Sequence, residues 1–446
     1  MKISSSTPPL AMPEPRQAEA LKPAGNIQAN MPASTALPVD CFEGSGPAKQ
    51  AMGLGGAATA SAAPMSGGPP IAGIGPDGQL KQAGTSIGVL SVNVPEGMPW
   101  KVSSDQAWAQ PYAVGNAPGT VEGSGPDLAN VMFRANAGTE PREATLSFTG
   151  PNGELLGTQK VVQPPASSPL EMAALGDSYM AGIGAGKHDS TVESVVKYMG
   201  SPNEYSYPYV ETDKTGRTDK AWARLLEGDA RINVNMGSHF FAETGGTTDG
   251  FDLRGAKSEP SINTQFENNK AALLKADVML LTAGGNDALF GDLARAGNTI
   301  TGGDAKFEKV LKEANTLLKE GLAPKLETTY KAALEAAPNA TIYVSGYPFS
   351  DTSQQFGGVP ASREPAVKDY VNNLNSTIQS TIDKVNAENP NGPRLVYMPP
   401  IDEPSTLNAI KLVGARGFNS MQSFHPNARG NELWAQHAAE FLLGNK

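Results

Sequence analysis

Four positions after residue 169 carry residue types suited to nucleophilic acyl transfer. Ser178 stands in Gly-Asp-Ser-Tyr directly after an apolar run, and His425 stands in Ser-Phe-His-Pro-Asn near the end of the sequence. Gly245 lies in a glycine turn, and Asn286 follows two glycines. Serine and histidine can act as nucleophile and base, and N–H groups and an amide can stabilise an oxyanion. Each short motif alone is also typical of a turn or a helix cap.

The elements that must position these residues follow from hydrophobic patterning after residue 169. Apolar runs predict strands at 170–175, 232–237, 276–284, 341–348 and 394–400, and amphipathic patterns predict helices at 218–228, 304–336, 365–388 and 428–443. Alternation of this kind predicts a parallel sheet covered by helices on both faces. Reactive groups are then expected on loops at the carboxyl ends of the strands.

Of the four histidines, His425 has the setting that suits a catalytic base. It lies on the loop just before the last predicted helix. His437 shares a helical face with Trp434, which predicts packing, and His188 and His239 have no comparable setting.

In this order, Ser178, Gly245, Asn286 and His425 resemble the four blocks of the SGNH (GDSL-type) serine hydrolase family over residues 168–446. The resemblance implies a flavodoxin-like three-layer α/β/α fold with a parallel five-stranded sheet. It implies that Ser178 attacks an ester carbonyl, that His425 is the base, and that the Ser178 and Gly245 N–H groups and the Asn286 amide hold the oxyanion. An acyl-enzyme would then pass its acyl group to water or to another alcohol. No metal and no organic cofactor is implied.

Two segments depart from relatives in this family. Residues 216–222 look like a Cys-His-Arg-Ser segment of one bacterial lipase/esterase subgroup, but Thr215 and Gly216 replace the cysteine and the histidine, so that disulfide is absent. Gln422 replaces the usual aspartate three residues before His425. The Gln422 carbonyl could orient the histidine, an acid such as Asp402 could serve instead, or the enzyme could be weak.

The first half of the chain predicts two further segments. Residues 1–83 are rich in Ala, Pro, Gly and Ser, and such a segment buries too little apolar surface to offset about 1–2 kcal/mol per residue of ordering, which predicts a disordered leader. Either a linker or an export leader like those of type III effectors fits this composition. Residues 84–166 alternate in short runs between turn residues, which predicts a small all-β sandwich.

The sandwich resembles the bacterial BACON-type immunoglobulin-like module. The resemblance depends on Trp100, Trp108, Arg142 and the terminal Gln163. Modules of this family are proposed to bind carbohydrate or mucin, so contact with carbohydrate or a host surface is one interpretation. The other, favoured here, is that both tryptophans are core anchors and the module is a spacer. The three predicted segments are thus 1–83, 84–166 and 167–446.

Composition excludes several classes of function. The 446 residues carry a net charge of −10, which argues against nucleic acid and a polybasic membrane contact. The single cysteine, Cys41, excludes an intramolecular disulfide and a thiolate zinc site. No apolar run reaches the roughly 18 residues of a membrane span. The start has no apolar signal-peptide core, so we expect secretion by a route other than Sec, or else residence in the cytoplasm.

The sequence therefore predicts a serine-dependent lipase or esterase acting on an acyl ester of a lipid or a carbohydrate. The alternatives are a carbohydrate O-acetylesterase, supported by the neighbouring sandwich, and a catalytically weak binding protein, supported by the missing aspartate.

The carbonyl hypothesis for Gln422 makes a direct prediction. Gln422→Ala keeps the backbone carbonyl, so the variant should retain most of the turnover on a p-nitrophenyl ester. His425→Ala is the reference for a lost base. A fall in kcat as large as that of His425→Ala would show that the Gln422 side chain is required.

Overall fold

The first seven strands form two antiparallel sheets. The structure is a computed structural model, and it describes residues 74–75, 77–183, 185, 217–255, 257, 260–297, 303–348, 362–401, 425–426 and 428–444. The strands are β1 (Ser86–Val92), β2 (Pro99–Ser104), β3 (Ala109–Tyr112), β4 (Thr120–Ser124), β5 (Asp127–Phe133), β6 (Arg142–Thr149) and β7 (Leu155–Gln163). One sheet has the order β1-β5-β3 and the other the order β4-β2-β6-β7. The strand β4 was not predicted from the sequence.

Apolar residues from both sheets meet in one core, as in a sandwich. Trp100 and Trp108 are each 2% exposed within it, so the core-anchor interpretation of both tryptophans is confirmed. The chain joins this core earlier than residue 84, because Leu80 is buried there and its N–H donates to Val162 O. The rest of the predicted leader, residues 1–73, lies outside the described residues.

The predicted parallel sheet is present and has five strands. They are β8 (Leu170–Leu175), β9 (Val234–Asn235), β10 (Val278–Leu281), β11 (Thr341–Ser345) and β12 (Leu395–Met398), in the order β12-β11-β10-β8-β9. Every residue of β10 and β11 is buried, which requires helices on both faces of the sheet. The three-layer α/β/α fold is therefore confirmed.

The helices are α1 (Ser178–Ala181), α2 (Trp222–Leu225), α3 (Ile262–Asn268), α4 (Lys270–Leu273), α5 (Phe290–Gly297), α6 (Asp304–Leu317), α7 (Ala323–Ala336), α8 (Glu364–Glu388) and α9 (Ala428–Leu443). The predicted helix 304–336 is divided between α6 and α7 by a π turn over Leu318–Leu322. Pro324 follows this turn and has no N–H to donate to an earlier carbonyl, which gives the interruption a cause.

Within the described part of the chain, no helix combines the length and apolar character that a bilayer crossing requires.

The sandwich packs against the amino ends of the parallel strands. Thr341, the first residue of β11, is fully buried, and its hydroxyl bonds to the Thr85 hydroxyl at 2.8 Å and accepts the Ala135 N–H at 3.2 Å. The Asn233 N–H, just before β9, donates to Ala137 O. Both contacts lie at the edge of the sheet opposite to the carboxyl ends where reactive groups are expected.

Removing the Thr341 hydroxyl should destabilise the protein. In Thr341→Val, which keeps the volume, the buried Ala135 N–H and Thr85 hydroxyl lose a partner, so the free energy of unfolding should fall by about 1–3 kcal/mol. Thr341→Ser, which keeps the hydroxyl, is the matched control. Urea unfolding measures both, and a Val variant as stable as the Ser variant would contradict the role of this contact.

Candidate active site

A tight turn carries the chain from β8 to Ser178. Gly176 has a φ of +134°, and a Cβ at this position would lie 2.3 Å from Thr282 Oγ1, so a larger residue does not fit. Asp177 then caps α1, since its carboxylate accepts the Tyr179 N–H at 3.0 Å. Ser178 is thereby fixed as the first residue of α1, at the carboxyl end of β8.

The Asp177 carboxylate is buried beneath this turn. It accepts a hydrogen bond from Thr282 Oγ1 at 2.9 Å and another from the Tyr347 hydroxyl at 2.5 Å. Burial raises the pKa of the Asp177 carboxyl, and these hydrogen bonds partly oppose the rise. Because Thr282 and Tyr347 follow β10 and β11, one carboxylate links three neighbouring strand ends.

Ser178 and His425 meet in the structure. The Ser178 hydroxyl and His425 Nε2 share a hydrogen bond of 2.7 Å across 247 positions of sequence. Each residue is 6% exposed. The ring of Tyr179 packs against the imidazole, with ring centroids 4.8 Å apart. This geometry lets the serine proton pass to the imidazole.

The loop that carries His425 is held by Asn431 of α9. The Asn431 amide donates to Pro426 O at 2.9 Å and accepts the Trp222 N–H at 2.9 Å. Trp222 in turn stacks on Trp434 of α9, with ring centroids 5.6 Å apart. The predicted orienting groups, Gln422 and Asp402, lie outside the described residues, so all three interpretations of that position stay predictions.

Gly245 and Asn286 lie on adjoining turns at the same end of the sheet. Gly245 has a φ of +84°, which favours glycine, and a Cβ there would meet no atom within 4 Å. The Asn286 amide donates to Gly246 O at 3.0 Å. The turn of Gly245 is also bound to the turn that precedes Ser178, because the Glu243 N–H donates to Gly176 O at 2.9 Å. All four predicted positions therefore lie at the carboxyl edge of the parallel sheet. The oxyanion roles of Ser178, Gly245 and Asn286 stay predictions.

A second buried carboxylate ties the same two turns together. Asp287 is fully buried, and its carboxylate accepts the Thr248 hydroxyl at 2.6 Å and the Thr248 N–H at 3.0 Å. Lys325 Nζ lies 3.6 Å from the carboxylate and also forms an ion pair with Asp249. Burial raises the pKa of Asp287 to about 6, since it outweighs the Thr248 hydrogen bonds and the Lys325 charge, and the Asp249 charge raises it further.

The described residues contain no cluster of three or more His, Cys, Asp or Glu side chains arranged to hold a metal ion.

Comparison with known proteins identifies the family. A model of the GDSL-like Lipase/Acylhydrolase family matches residues 174–433, more than half of the chain. The chain belongs to this family. The GDSL-like match includes Ser178, Gly245, Asn286 and His425.

Individual relatives are more distant than the family match. A lipase from Streptomyces rimosus is 29% identical over 194 residues, which are 44% of this chain and 58% of that lipase. The chain therefore spans less than two thirds of the length of this lipase. Phospholipase A1 from Streptomyces albidoflavus is 22% identical with a TM-score of 0.42, over 61% of this chain and 99% of that one. A family two carbohydrate esterase from Clostridium thermocellum is 14% identical with a TM-score of 0.34, over 82% and 93%.

Several supporting residues of this site were missed in the sequence, among them Tyr347 and Gln265. Tyr347 could have been found, because it lies in Gly-Tyr-Pro at the end of a predicted strand, beside the strand that leads to Asn286. Gln265 gave no signal. Its amide donates to Gly176 O and accepts the Gly176 N–H, both at 2.9 Å, but it lies in the short helix α3, which was not predicted.

The raised pKa of Asp287 predicts a pH dependence of stability. Its pKa is about 6 in the folded protein and 3.8 ordinarily, so the folded state binds more protons in between and stability falls as pH rises through 6. In Asp287→Asn, the fall between pH 4.5 and 7.5 should be smaller by about 2 kcal/mol. Urea unfolding at both pH values measures it, with the exposed Asp219→Asn as control. Equal pH dependence in wild type and Asp287→Asn would contradict the assignment.

Proposed function

We propose that this protein is a serine-dependent carboxylic-ester hydrolase that forms an acyl-enzyme on Ser178. The observation that carries the proposal is the 2.7 Å hydrogen bond between the Ser178 hydroxyl and His425 Nε2 within a GDSL-like family match. Both groups are largely shielded from water, which strengthens electrostatic interactions at the reacting atoms.

The reaction proceeds in two halves. His425 Nε2 takes the hydroxyl proton as Ser178 Oγ bonds to the ester carbonyl carbon, and the carbonyl oxygen becomes an oxyanion. The tetrahedral intermediate collapses, the bond to the alcohol oxygen breaks, and His425 returns the proton to the leaving alcohol. Water then attacks the acyl-enzyme by the same route and releases the acid. An acceptor alcohol in place of water would give acyl transfer.

The oxyanion is assigned to the Ser178 N–H, the Gly245 N–H and the Asn286 amide. The bond from the Asn286 amide to Gly246 O uses one of its two hydrogens and fixes its plane beside the Gly245 turn. Asp177 supports the same assignment, because it takes the Tyr179 N–H and not the Ser178 N–H. A preorganised donor of this kind is typically worth about 2.7–4 kcal/mol of barrier stabilisation.

The sandwich is proposed as a BACON-type module. Three of the residues that carry the resemblance are in contact, since Arg142 Nε donates to Gln163 Oε1 at 2.9 Å and the guanidinium lies 4.5 Å from the Trp108 ring. Contact with carbohydrate or a host surface would have to use residues other than Trp100 and Trp108, which are buried. Export by a route other than Sec, or residence in the cytoplasm, stays a prediction of the composition of residues 1–83.

The decisive test is the Ser178→Ala variant. Wild-type protein should hydrolyse p-nitrophenyl esters, and Ser178→Ala should lose kcat by about 10⁴-fold or more because the nucleophile is gone. A fluorophosphonate probe should label wild type and not the variant. Ser376→Ala, which removes an exposed hydroxyl on α8, is the control.

Three outcomes separate the alternatives. Equal rates for wild type and Ser178→Ala would end the proposal. Failure of the wild type both to hydrolyse the esters and to react with the probe would favour the catalytically weak binding protein. Faster product formation with an added alcohol would assign acyl transfer.

A further inference from the structure

Two consecutive residues of α1 contact His425 in different ways. The Ser178 hydroxyl lies 2.7 Å from Nε2, in a hydrogen bond that fixes where this nitrogen lies. The ring of Tyr179 packs on the imidazole itself, with ring centroids 4.8 Å apart and an interplanar angle of 35°. A hydrogen bond to one nitrogen does not by itself fix the plane of an imidazole, whereas an aromatic ring packed against it does. The two contacts together therefore define both the position and the plane of the base.

The ring of Tyr179 is held in place by three further aromatic rings. Tyr347 lies edge-on to it, with 5.1 Å between ring centroids, and Phe290 and Trp434 lie at 6.1 and 6.3 Å. These separations are in the range of favourable aromatic pairs. Tyr179 is 4% exposed within this aromatic cluster, so its ring cannot turn without displacing its neighbours. The cluster draws on α1, α5, α9 and the turn after β11.

The backbone of Tyr179 is fixed as well. Its N–H donates to the Asp177 carboxylate at 3.0 Å, and its carbonyl accepts the indole N–H of Trp222 at 3.2 Å. Trp222 is fully buried. Neither of these contacts involves the ring of Tyr179, so a substitution of the side chain leaves both of them in place.

The packed ring can also act on a charge. When His425 takes the proton of Ser178, its imidazole becomes an imidazolium whose centroid lies 4.8 Å from that of the Tyr179 ring. A cation within about 6 Å of an aromatic centroid is attracted by the negative face of the ring, and the attraction is stronger where water is excluded. An interplanar angle of 35° is closer to a stacked than to an edge-on pair. The contact is therefore stronger once His425 is charged, which is the condition for an effect on rate.

Two titratable groups besides the imidazole contact Tyr179 within the described part of the chain. They are the Asp177 carboxyl before α1 and the Tyr347 hydroxyl after β11, and they are bonded to each other at 2.5 Å. The rings that α5 and α9 contribute carry no charge. Since Asp177 binds the backbone of Tyr179, removing the Tyr179 ring keeps this carboxylate in position and takes away the aromatic contact alone.

We propose that Tyr179 is a positioning residue for His425, and that the face of its ring stabilises the imidazolium formed when His425 takes the serine proton. The inference rests on the proposed ester hydrolysis at Ser178 and adds a residue to that reaction. The proton passes from Ser178 Oγ to His425 Nε2 and then to the leaving alcohol, and Tyr179 takes no part in the transfer. Its effect reaches the ester through the orientation and basicity of His425.

The pKa of the His425 imidazole tests the proposal without catalysis. The sequence has four histidines, so NMR of histidine-labelled protein can follow His425 through a pH titration, with its signal assigned by its loss in His425→Ala. Tyr179→Leu removes the aromatic face and so disfavours the imidazolium, and the pKa of His425 should fall by about one pH unit. Tyr179→Phe keeps the ring and should keep the wild-type pKa. An unchanged pKa in Tyr179→Leu would overturn the proposal.

Phe290→Leu is the matched control, because it removes another ring of the same aromatic cluster. Among the described residues, the ring of Phe290 packs on Tyr179 and Tyr347. This variant should lower the free energy of unfolding, as Tyr179→Leu does, and leave the pKa of His425 unchanged. Equal pKa shifts in the two variants would assign the effect to lost packing and overturn the imidazolium role.

A second set of variants keeps the test decisive if Tyr179→Leu does not fold. Phenylalanine analogues with increasing ring fluorination at position 179 keep the shape of the ring and weaken its negative face. The pKa of His425 should fall with each added fluorine. A pKa that does not depend on fluorination would show that the ring does not act on the imidazolium.

Kinetics give the remaining test. On p-nitrophenyl acetate, kcat of Tyr179→Leu should fall about 10-fold with KM unchanged, because the imidazolium is present in the transition state and not in the bound ester. The acid limb of kcat/KM should move to lower pH together with the pKa of His425. A raised KM at unchanged kcat would place Tyr179 against the ester and contradict the positioning role. The expected pKa difference in a protein that hydrolyses no ester would leave the ring contact in place and refute the ester hydrolase.

Discussion

The turn at Gly176 and Asp177 is the constraint on which the rest of the site depends. Gly176 passes so close to Thr282 that no side chain fits, and both of its backbone polar groups are bound by Gln265. The Asp177 carboxylate then accepts hydrogen bonds from Thr282 and Tyr347, which lie at the ends of two other strands. Ser178 is therefore positioned by several segments that are distant in sequence and fixed by polar contacts. A displacement of β10, β11 or α3 would therefore shift Ser178, the proposed nucleophile.

The surrounding turns are organised in the same way, by a side chain of one segment bound to the backbone of another. The Asn286 amide holds Gly246 O, the Asp287 carboxylate holds the Thr248 N–H, and Asn431 holds Pro426 O. These contacts satisfy backbone groups that a loop cannot pair by itself. One of these contacts uses the buried carboxylate of Asp287, and the raised pKa values of Asp177 and Asp287 reflect the cost of removing carboxylates from water. The edge of the sheet is thus ordered at some expense in stability.

The sequence predicted the elements whose signal is local. The strand at 170–175 is found with the same bounds, and the helix at 365–388 differs from α8 by one residue, because continuous apolar runs and 3.6-residue periodicity are encoded in neighbouring positions. The predicted strand at 232–237 shrinks to Val234–Asn235, since it pairs on one side only, with β8. Helices α3, α4 and α5 have four to eight residues, too few for a clear period.

Part of the candidate site was also predictable from the sequence, and part was not. The order of the four blocks predicted that Ser178 and His425 lie together. The structure places the two side chains in a direct hydrogen bond. The supporting contacts of Tyr347, Gln265 and Thr248 were not predicted, because each depends on which loop ends lie side by side after folding. A glutamine such as Gln265, with no motif around it, becomes informative only when its amide is seen to bind both polar groups of Gly176.

The placement of the sandwich limits what it can contribute to catalysis. It contacts Thr341 and Asn233 at the amino ends of β11 and β9, whereas Ser178 follows the carboxyl end of β8. With about 3.3 Å per residue, the six residues of β8 separate the two ends by about 20 Å. The sandwich contacts described here can therefore affect the reacting atoms only through the sheet, by stabilising its base. The proposed reaction depends instead on the loops at the carboxyl edge of the sheet, among them the loop 243–251 that carries Gly245.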